Sequence, residues 1–511
     1  MSLPVISSML SLFRHRITPI IPLRGSVSAS GDLMPLAYVA GVIEGSPDVF
    51  VRIENETSGV KIMAAKEALA SVGEDVRTLG PKEGLGLVNG TSASAGLASL
   101  VIYESHHLAL LTQALTAMSC EAMLGSPESF HPFIAEVRPH DGQIECARNI
   151  LHLLQGSGLT QNPADKKAHQ TSGLIQNRYA LRSAPQWVGP YLEDLLLADR
   201  QIKVELNSSS DNPLVDTRTQ KIYNGANFQA VSITSAMEKA RLSLQMFGKL
   251  LFSQATEMID PSLSNGLPTN LVADDPSLSF TMKGVDISMA AYMSELAYLA
   301  SPVSSHVQAA EMHNQSVNSM AFVSARFTMQ AVELLSLMCA CSLYICCQAL
   351  DLRVMHLSYL SELRNSLPCL TKGLFGNILS ADEVNRLNAA LDKHINSSWH
   401  ANSRLDIDER IQVAVDTSLS IVLKAIVSYE RLGATLGGAM VIDNWKSQAV
   451  HTMKGLYESS TTAFKKNPNT AEFLGVGSKA LYLAVREELG VPFHLGLIEV
   501  STVIRPEAPP H

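Results

Sequence analysis

Charge is scarce in this sequence: Asp, Glu, Lys and Arg make up 17% of its 511 residues, against 46% hydrophobic ones, and mean hydropathy is +0.12. Such a balance calls for a large core, for apolar surface buried between subunits, or for both; we expect both. A basic excess is also missing. The net charge of −9 leaves no electrostatic footprint for nucleic acid, and no such partner is expected. Cysteine is sparse and odd in number, seven in all, with Cys339, Cys341, Cys346 and Cys347 crowded into one apolar stretch. Zinc would want histidines beside them. The neighbours are Leu337, Met338, Leu343 and Ile345, so buried thiols of a reduced cytosolic protein fit better, and no metal is expected. Met1 to Arg16 lacks the long apolar run and small-residue cleavage site of a secretory signal. Leu334 to Leu350 is nearly uncharged but short for a bilayer and broken by Ser336, Ser342 and Gln348; it reads as a buried helix of a cytoplasmic protein, with no membrane partner. Internal repeats are absent, as are a glycine-rich dinucleotide fingerprint and a phosphate loop, so no nucleotide cofactor is expected.

What is present is helical periodicity. Helices are expected over Ala37–Gly45, Ala64–Leu69, from about Ala93 to a stop at Gly125-Ser126-Pro127, around Ile144–Gln155, and over Tyr191–Leu206 and Ala230–Met258. In the helix after Ala93, Leu97, Val101, Leu108, Leu111, Leu115 and Met118 share an apolar face. The longest periodic run goes from near Gln308 to about His356, roughly 65 Å of helix, more than one globular domain needs. Further helices follow over Val413–Leu432, Asn444–Phe464 and Ser478–Leu489, before a proline-rich tail from Arg505 to His511. Val49–Ile53 alternates like a strand. Gly80–Gly90 reads as a glycine-rich loop and Ser208–Pro213 as a turn. The fold class is mainly α, bundled, with little sheet.

One stretch carries unusual chemistry. Gly25-Ser26-Val27-Ser28-Ala29-Ser30-Gly31-Asp32-Leu33-Met34-Pro35-Leu36 is dominated by small residues that let a backbone turn tightly. In Ala29-Ser30-Gly31 the unhindered Gly31 nitrogen can attack the Ala29 carbonyl, whose oxygen leaves as one water, while Ser30 loses its hydroxyl as a second. The product is an electrophilic methylidene-imidazolone (MIO) built from the chain itself. Ser26, Ser28 and Asp32 read as shaping the turn. Tyr179 and Arg182 stand three residues apart, neighbours in a helix or tight turn, and Arg182 offers a planar fork for a carboxylate. Glu311 and Gln315 are spaced to share one helix face.

Arg24-Gly25 through Leu36, Gly86-Leu87-Val88-Asn89-Gly90-Thr91, Gln176-Asn177-Arg178-Tyr179-Ala180-Leu181-Arg182, Asn224-Gly225-Ala226-Asn227-Phe228-Gln229 and Glu311-Met312-His313-Asn314-Gln315 follow one another in the order seen in the aromatic amino-acid ammonia-lyases. The sequence resembles that family over nearly its whole length, most of all the phenylalanine ammonia-lyases of fungi. The resemblance implies a long-helix bundle of the ammonia-lyase type with a smaller helical C-terminal insertion. Its parts would be 1–90 in the MIO-forming domain, 91–354 in the helical core, 355–475 in a shield-like insertion and 476–511 returning to the core. It implies deamination of phenylalanine to trans-cinnamate through an MIO formed from Ala29, Ser30 and Gly31.

The same resemblance assigns roles. Asn89 is hydrogen-bonded to the ring, Tyr179 belongs to the proton network, and Glu311 handles the amine or a proton. Arg182 binds the substrate carboxylate with Gln176 in support, and Asn227 hydrogen-bonds substrate or ring. Lys283 sits where phenylalanine-type lyases commonly carry lysine, beside Glu311; Asn314 and Gln315 line the same region. His313 is expected to be packed or at an interface. The implied assembly is a homotetramer acting on an aromatic amino acid. The family's base, however, is a tyrosine on a loop well upstream of the tripeptide, and the 28 residues before Ala29 contain no tyrosine. The chain therefore reads as a family member without its N-terminal portion. Two alternatives stay open: a non-catalytic paralogue that assembles with full-length subunits, and an aminomutase using the same ring.

Overall fold

The computed structural model describes residues 2–28, 32–55, 59–160, 176–427 and 437–499. They are predominantly α-helical. The chain divides into two compact units: Met1–Ala109, Tyr191–Met246 and Glu295–Leu335 form the first, and Leu110–Pro190, Phe247–Ser294 and Ser336–His511 the second.

In the first unit, helix Leu3–Arg14 leads into a three-stranded antiparallel sheet of Ile17–Pro19, Phe50–Asn55 and Gly59–Ala64, with the middle strand in sequence also central in the sheet. Val51 pairs with Pro19 on one side and Met63 on the other and is fully buried. The sheet packs against helices Met34–Ile43 and Ala65–Ser71 through Ile17, Val42, Ile43, Ala65 and Leu69. The strand Gly59–Ala64 was not legible, because its side chains are mostly exposed and no apolar alternation marks it. Gly80–Gly90 is not all loop: Glu83–Val88 forms a helix, with Lys82 before it in the left-handed region (φ 68°) and Asn89 after it. A small hairpin, Leu214–Asp216 with Lys221–Tyr223, follows the Ser208–Pro213 turn.

The second unit holds a layered helical core. Helices Ala381–Ala401, Ile407–Val427 and Gly437–Lys466 bury Leu387, Leu391, Trp399, Ile411, Val415, Trp445 and Met453 against Tyr359, Leu363 and Phe375. A capping box, Ser380 with Glu383, starts the first of the three.

Helix Ser92–Ala122 stops as expected near Gly125, but by another route. Leu124, not the glycine, takes the left-handed position (φ 53°), and the Gly125 N–H donates to the Cys120 carbonyl at 2.7 Å. Glycine is needed at 125 for room, since a Cβ there would lie 2.6 Å from the Cys120 sulfur. The longest helix runs over Ala321–Phe375, not from Gln308. Before it, Glu311, Met312 and His313 are all left-handed, and a bridge between Ala310 and Gln315 closes the turn. The expectation that Glu311 and Gln315 share a helix face is therefore wrong. Polar side chains win locally: Asn314 donates to Glu311 at 3.2 Å, Asn318 to the Gln308 carbonyl, and Thr234 to the Ser319 carbonyl at 2.5 Å.

By length and composition, Glu83–Ala122 and Ala321–Phe375 are apolar enough to cross a membrane. In the second of these, Gln348, Asp351 and Arg353 are buried and hydrogen-bonded within the protein, as in a core helix. Cys339, Cys346 and Cys347 are buried, and burial pushes each thiol up to about 12. No group of three or more metal-ligating side chains occurs among the described residues.

Candidate active site

Ala29, Ser30 and Gly31 lie outside the described residues. Their flanks are tied together. One Asp32 carboxylate oxygen accepts from the Ser26 hydroxyl (2.7 Å), from the Val27 N–H and from the Ser28 N–H (2.8 Å). Ser28, itself left-handed at φ 48°, is buried against Ser94, and the Val27 carbonyl accepts from the Phe322 N–H at 3.3 Å. The Asp32 carboxylate thus ties the two flanks of the tripeptide to each other. Small residues held by one carboxylate on either side, with Ala-Ser-Gly between them in sequence, are residue types that fit an MIO. The expected turn-shaping role of Ser26, Ser28 and Asp32 is borne out.

In the first unit, the turn at Ser209–Asn212 gathers two of the sequence motifs. Asn89, only 9% exposed, donates from Nδ2 to Asp211 at 3.5 Å, and the Thr91 N–H donates to the Ser210 hydroxyl at 3.2 Å. Asn227, exposed, donates to the Ser209 carbonyl at 3.3 Å, while the Gly225 N–H donates to the Asn212 side chain at 2.8 Å. Lys82 holds the Asp211 carboxylate at 2.8 and 3.0 Å. Asp211 and Lys82 were missed in the sequence because Ser-Ser-Ser-Asp-Asn-Pro has ordinary turn composition and its partners are remote in the chain. Glu311, Asn314 and Gln315 stand on the left-handed turn described above; the Gln315 Nε2 is buried with no hydrogen-bond partner among the described residues. His313 is exposed in the chain, not packed, because the same turn carries it outward.

In the second unit, Tyr179–Arg182 is a single helical turn, which brings the two named residues together as expected. The guanidinium of Arg182 lies 5.4 Å from the Tyr179 ring centre and donates to the Gln176 side-chain carbonyl. All three line an open cleft of about 640 Å³ with Glu128, Arg138 and Gln186. Tyr179 is 70% exposed, so its hydroxyl can reach a ligand. The segment is anchored on both sides. Asn177 accepts from the Ser126 N–H (2.8 Å) and donates to its carbonyl (2.7 Å), and Arg178 donates to the carbonyls of Leu263 (3.0 Å) and Ser262 (3.2 Å). Burial raises the pKa of the nearby Glu257 carboxyl, with the charge of Arg178 opposing. Lys283 opens helix Lys283–Leu299 with its ammonium 4.7 Å from the Phe280 ring centre; it does not line this cleft.

The sequence profile of the aromatic amino acid lyases matches residues 1–367. The chain belongs to that family. Among curated relatives of this aromatic amino acid lyase, a phenylalanine ammonia-lyase of Aspergillus hancockii is 55% identical over 504 residues, 98% of this chain and 71% of that protein. A phenylalanine aminomutase (L-beta-phenylalanine forming) of Talaromyces islandicus is 52% identical, over 98% and 69%. Two crystal structures of phenylalanine ammonia-lyase from Rhodosporidium toruloides match the lyase fold with TM-scores of 0.93 and 0.91. They are 39% and 38% identical, covering 99% of this chain and 76% and 77% of theirs. The lyase is accordingly a carbon–nitrogen lyase of mainly α architecture.

Proposed function

We propose that this lyase deaminates L-phenylalanine without oxidation, giving trans-cinnamate and ammonia. The observation that carries the reading is the Asp32 carboxylate holding Ser26 and Ser28 beside Ala29-Ser30-Gly31, the residue types from which an MIO is built, in a chain of the aromatic amino acid lyase family. An amine is a poor leaving group and a β-hydrogen is weakly acidic, and no standard side chain is a strong electrophile. The MIO, once formed from the tripeptide, supplies that electrophile.

The chain's own residues do the rest. Arg182 takes the substrate carboxylate in a bidentate pair, its fork held in plane by Gln176. Tyr179, at the mouth of the cleft, holds or moves a proton at its hydroxyl. Asn89 donates a hydrogen bond where negative charge develops, and Asn227 hydrogen-bonds the substrate or the ring. Glu311 handles the ammonium group, with Asn314, Gln315 and Lys283 as further substrate contacts. An exposed apolar stripe on the helix Ser92–Ala122, through Leu100, Tyr103 and Leu110, supports a homotetramer. We place the protein in the cytoplasm, consistent with its reduced, buried thiols.

The test is product analysis. Incubated with L-phenylalanine, L-tyrosine or L-histidine, the purified chain should release the matching acrylate and ammonia, fastest from phenylalanine. Absence of any acrylate would refute the reading. The aminomutase relative favours a second one, in which ammonia returns to the β-carbon; β-phenylalanine as the main product would decide for it.

A further inference from the structure

We infer that Asp211, held by Lys82, is the positioning residue that fixes the side-chain amide of Asn89 for the lyase reaction. The inference rests on the role given to Asn89 above and adds what sets its orientation. An amide has two N–H donors at one end and an acceptor at the other, whereas an ionised carboxylate only accepts. With Asp211 3.5 Å from Nδ2, a flipped Asn89 would set oxygen against oxygen. The carboxylate therefore holds the nitrogen end in place and leaves the second Nδ2–H as the donor still to be used.

Asp211 is itself kept still. Lys82 Nζ donates to both of its oxygens and to the Asn212 carbonyl at 3.2 Å, and the Asn212 N–H donates to it at 2.7 Å. Lys82 immediately precedes the six-residue helix Glu83–Val88 and Asn89 immediately follows it, so one carboxylate ties both ends of that helix. A non-glycine residue in the left-handed region costs about 1 kcal/mol, and Lys82 stays there because its ammonium is engaged. The next two residues are seated on the same turn. Gly90 has φ 126°, and a Cβ on it would lie 2.5 Å from the Ser210 hydroxyl, which accepts from the Thr91 N–H. The side chains of Lys82 and Asp211 are 39% and 26% exposed, and pairs of that kind add little to global stability. Their consequence should appear in turnover and in the local order of residues 82–92.

The experiment compares Asp211→Asn, Lys82→Met, Lys82→Arg, Asn89→Ala and the Asp211→Asn/Asn89→Ala pair in the full chain. It reads kcat and KM with L-phenylalanine and backbone hydrogen exchange in the 82–92 peptide. Asp211→Asn and Lys82→Met should lower kcat about 10- to 100-fold with KM within about threefold, and speed exchange of that peptide about tenfold. Lys82→Arg, which keeps the ion pair, should recover most of both. The double variant should turn over within about twofold of Asn89→Ala alone, because Asp211 acts through Asn89. Unchanged kcat or unchanged exchange in Asp211→Asn, beside an impaired Asn89→Ala, overturns this inference alone, as does a loss that multiplies in the double variant. A fully active Asn89→Ala, or a wild-type chain without turnover, removes the role of Asn89 and this inference with it.

Discussion

At the scale of single residues, the cleft around Arg182 depends on planarity. Gln176 accepts from one guanidinium nitrogen, and the Tyr179 ring lies beside the guanidinium carbon, which leaves the rest of the fork for a carboxylate. Lysine would keep the charge but lose the fork and its stacking. Arg182→Lys should raise KM for phenylalanine about tenfold, about 1.4 kcal/mol, and lower kcat less; initial-rate kinetics check it. An equal fall in kcat at constant KM would place Arg182 elsewhere in the reaction. The residue types at Tyr179 and Arg182 could be read from the sequence, because a three-residue spacing brings side chains together in any helical turn. Asp211 could not, since its meaning comes from Lys82 and Asn89, more than a hundred residues away.

Among elements, what was legible followed from local pattern. The helix Ser92–Ala122 was readable because Val101, Leu108, Leu115 and Met118 recur at helical spacing and are buried, and because a glycine and a proline follow it. The start of the longest helix was misplaced because the turn at Ala310–Gln315 lacks glycine and proline; it is closed by a backbone bridge and an Asn314-to-Glu311 hydrogen bond that no periodicity records. Helix Ala381–Ala401 allows a direct test of a local signal. Its capping box satisfies N–H groups at both Ser380 and Glu383. Ser380→Ala should destabilise the Trp399–Trp445 core by about 1 kcal/mol, seen as a lower urea midpoint in tryptophan fluorescence. An unchanged midpoint would mean that the first turn contributes nothing to that core.

At the level of the whole molecule, the second unit buries a group of cations with no carboxylate hydrogen-bonded to them among the described residues. Arg353 donates to the carbonyls of Ala122, Asn265 and Ser264, and Arg410 donates to the Trp399 carbonyl with its guanidinium 3.9 Å from the indole. His356 and His400 sit among them. Burial, with Arg410 and Arg353 adding to it, holds His356 well below the usual histidine range; burial and Arg353 bring His400 to about 4. Above about pH 6.5 both histidines are neutral, folded or unfolded. Below it the unfolded chain takes up protons that the folded chain refuses at His356 and, until about pH 4, at His400, so stability falls as pH drops below about 6.5, by up to about 1.4 kcal/mol per unit from His400. His356→Phe should lose less between pH 7.5 and pH 5 than the wild type in urea titrations. An equal loss would exonerate His356. The resemblance-based division into four parts remains our proposal, and the continuous core from Tyr359 to Met453 supports a separate helical layer within 355–475.

The central claim, our proposal, is that Ala29-Ser30-Gly31, between flanks tied together by Asp32, condenses into an MIO, and intact-mass measurement of the purified chain tests it most directly. The account predicts a mass two waters below that of the encoded sequence, with the deficit lost in Ser30→Ala. A mass equal to the encoded sequence, with the three amides between Ser28 and Asp32 intact in peptide maps, would contradict it.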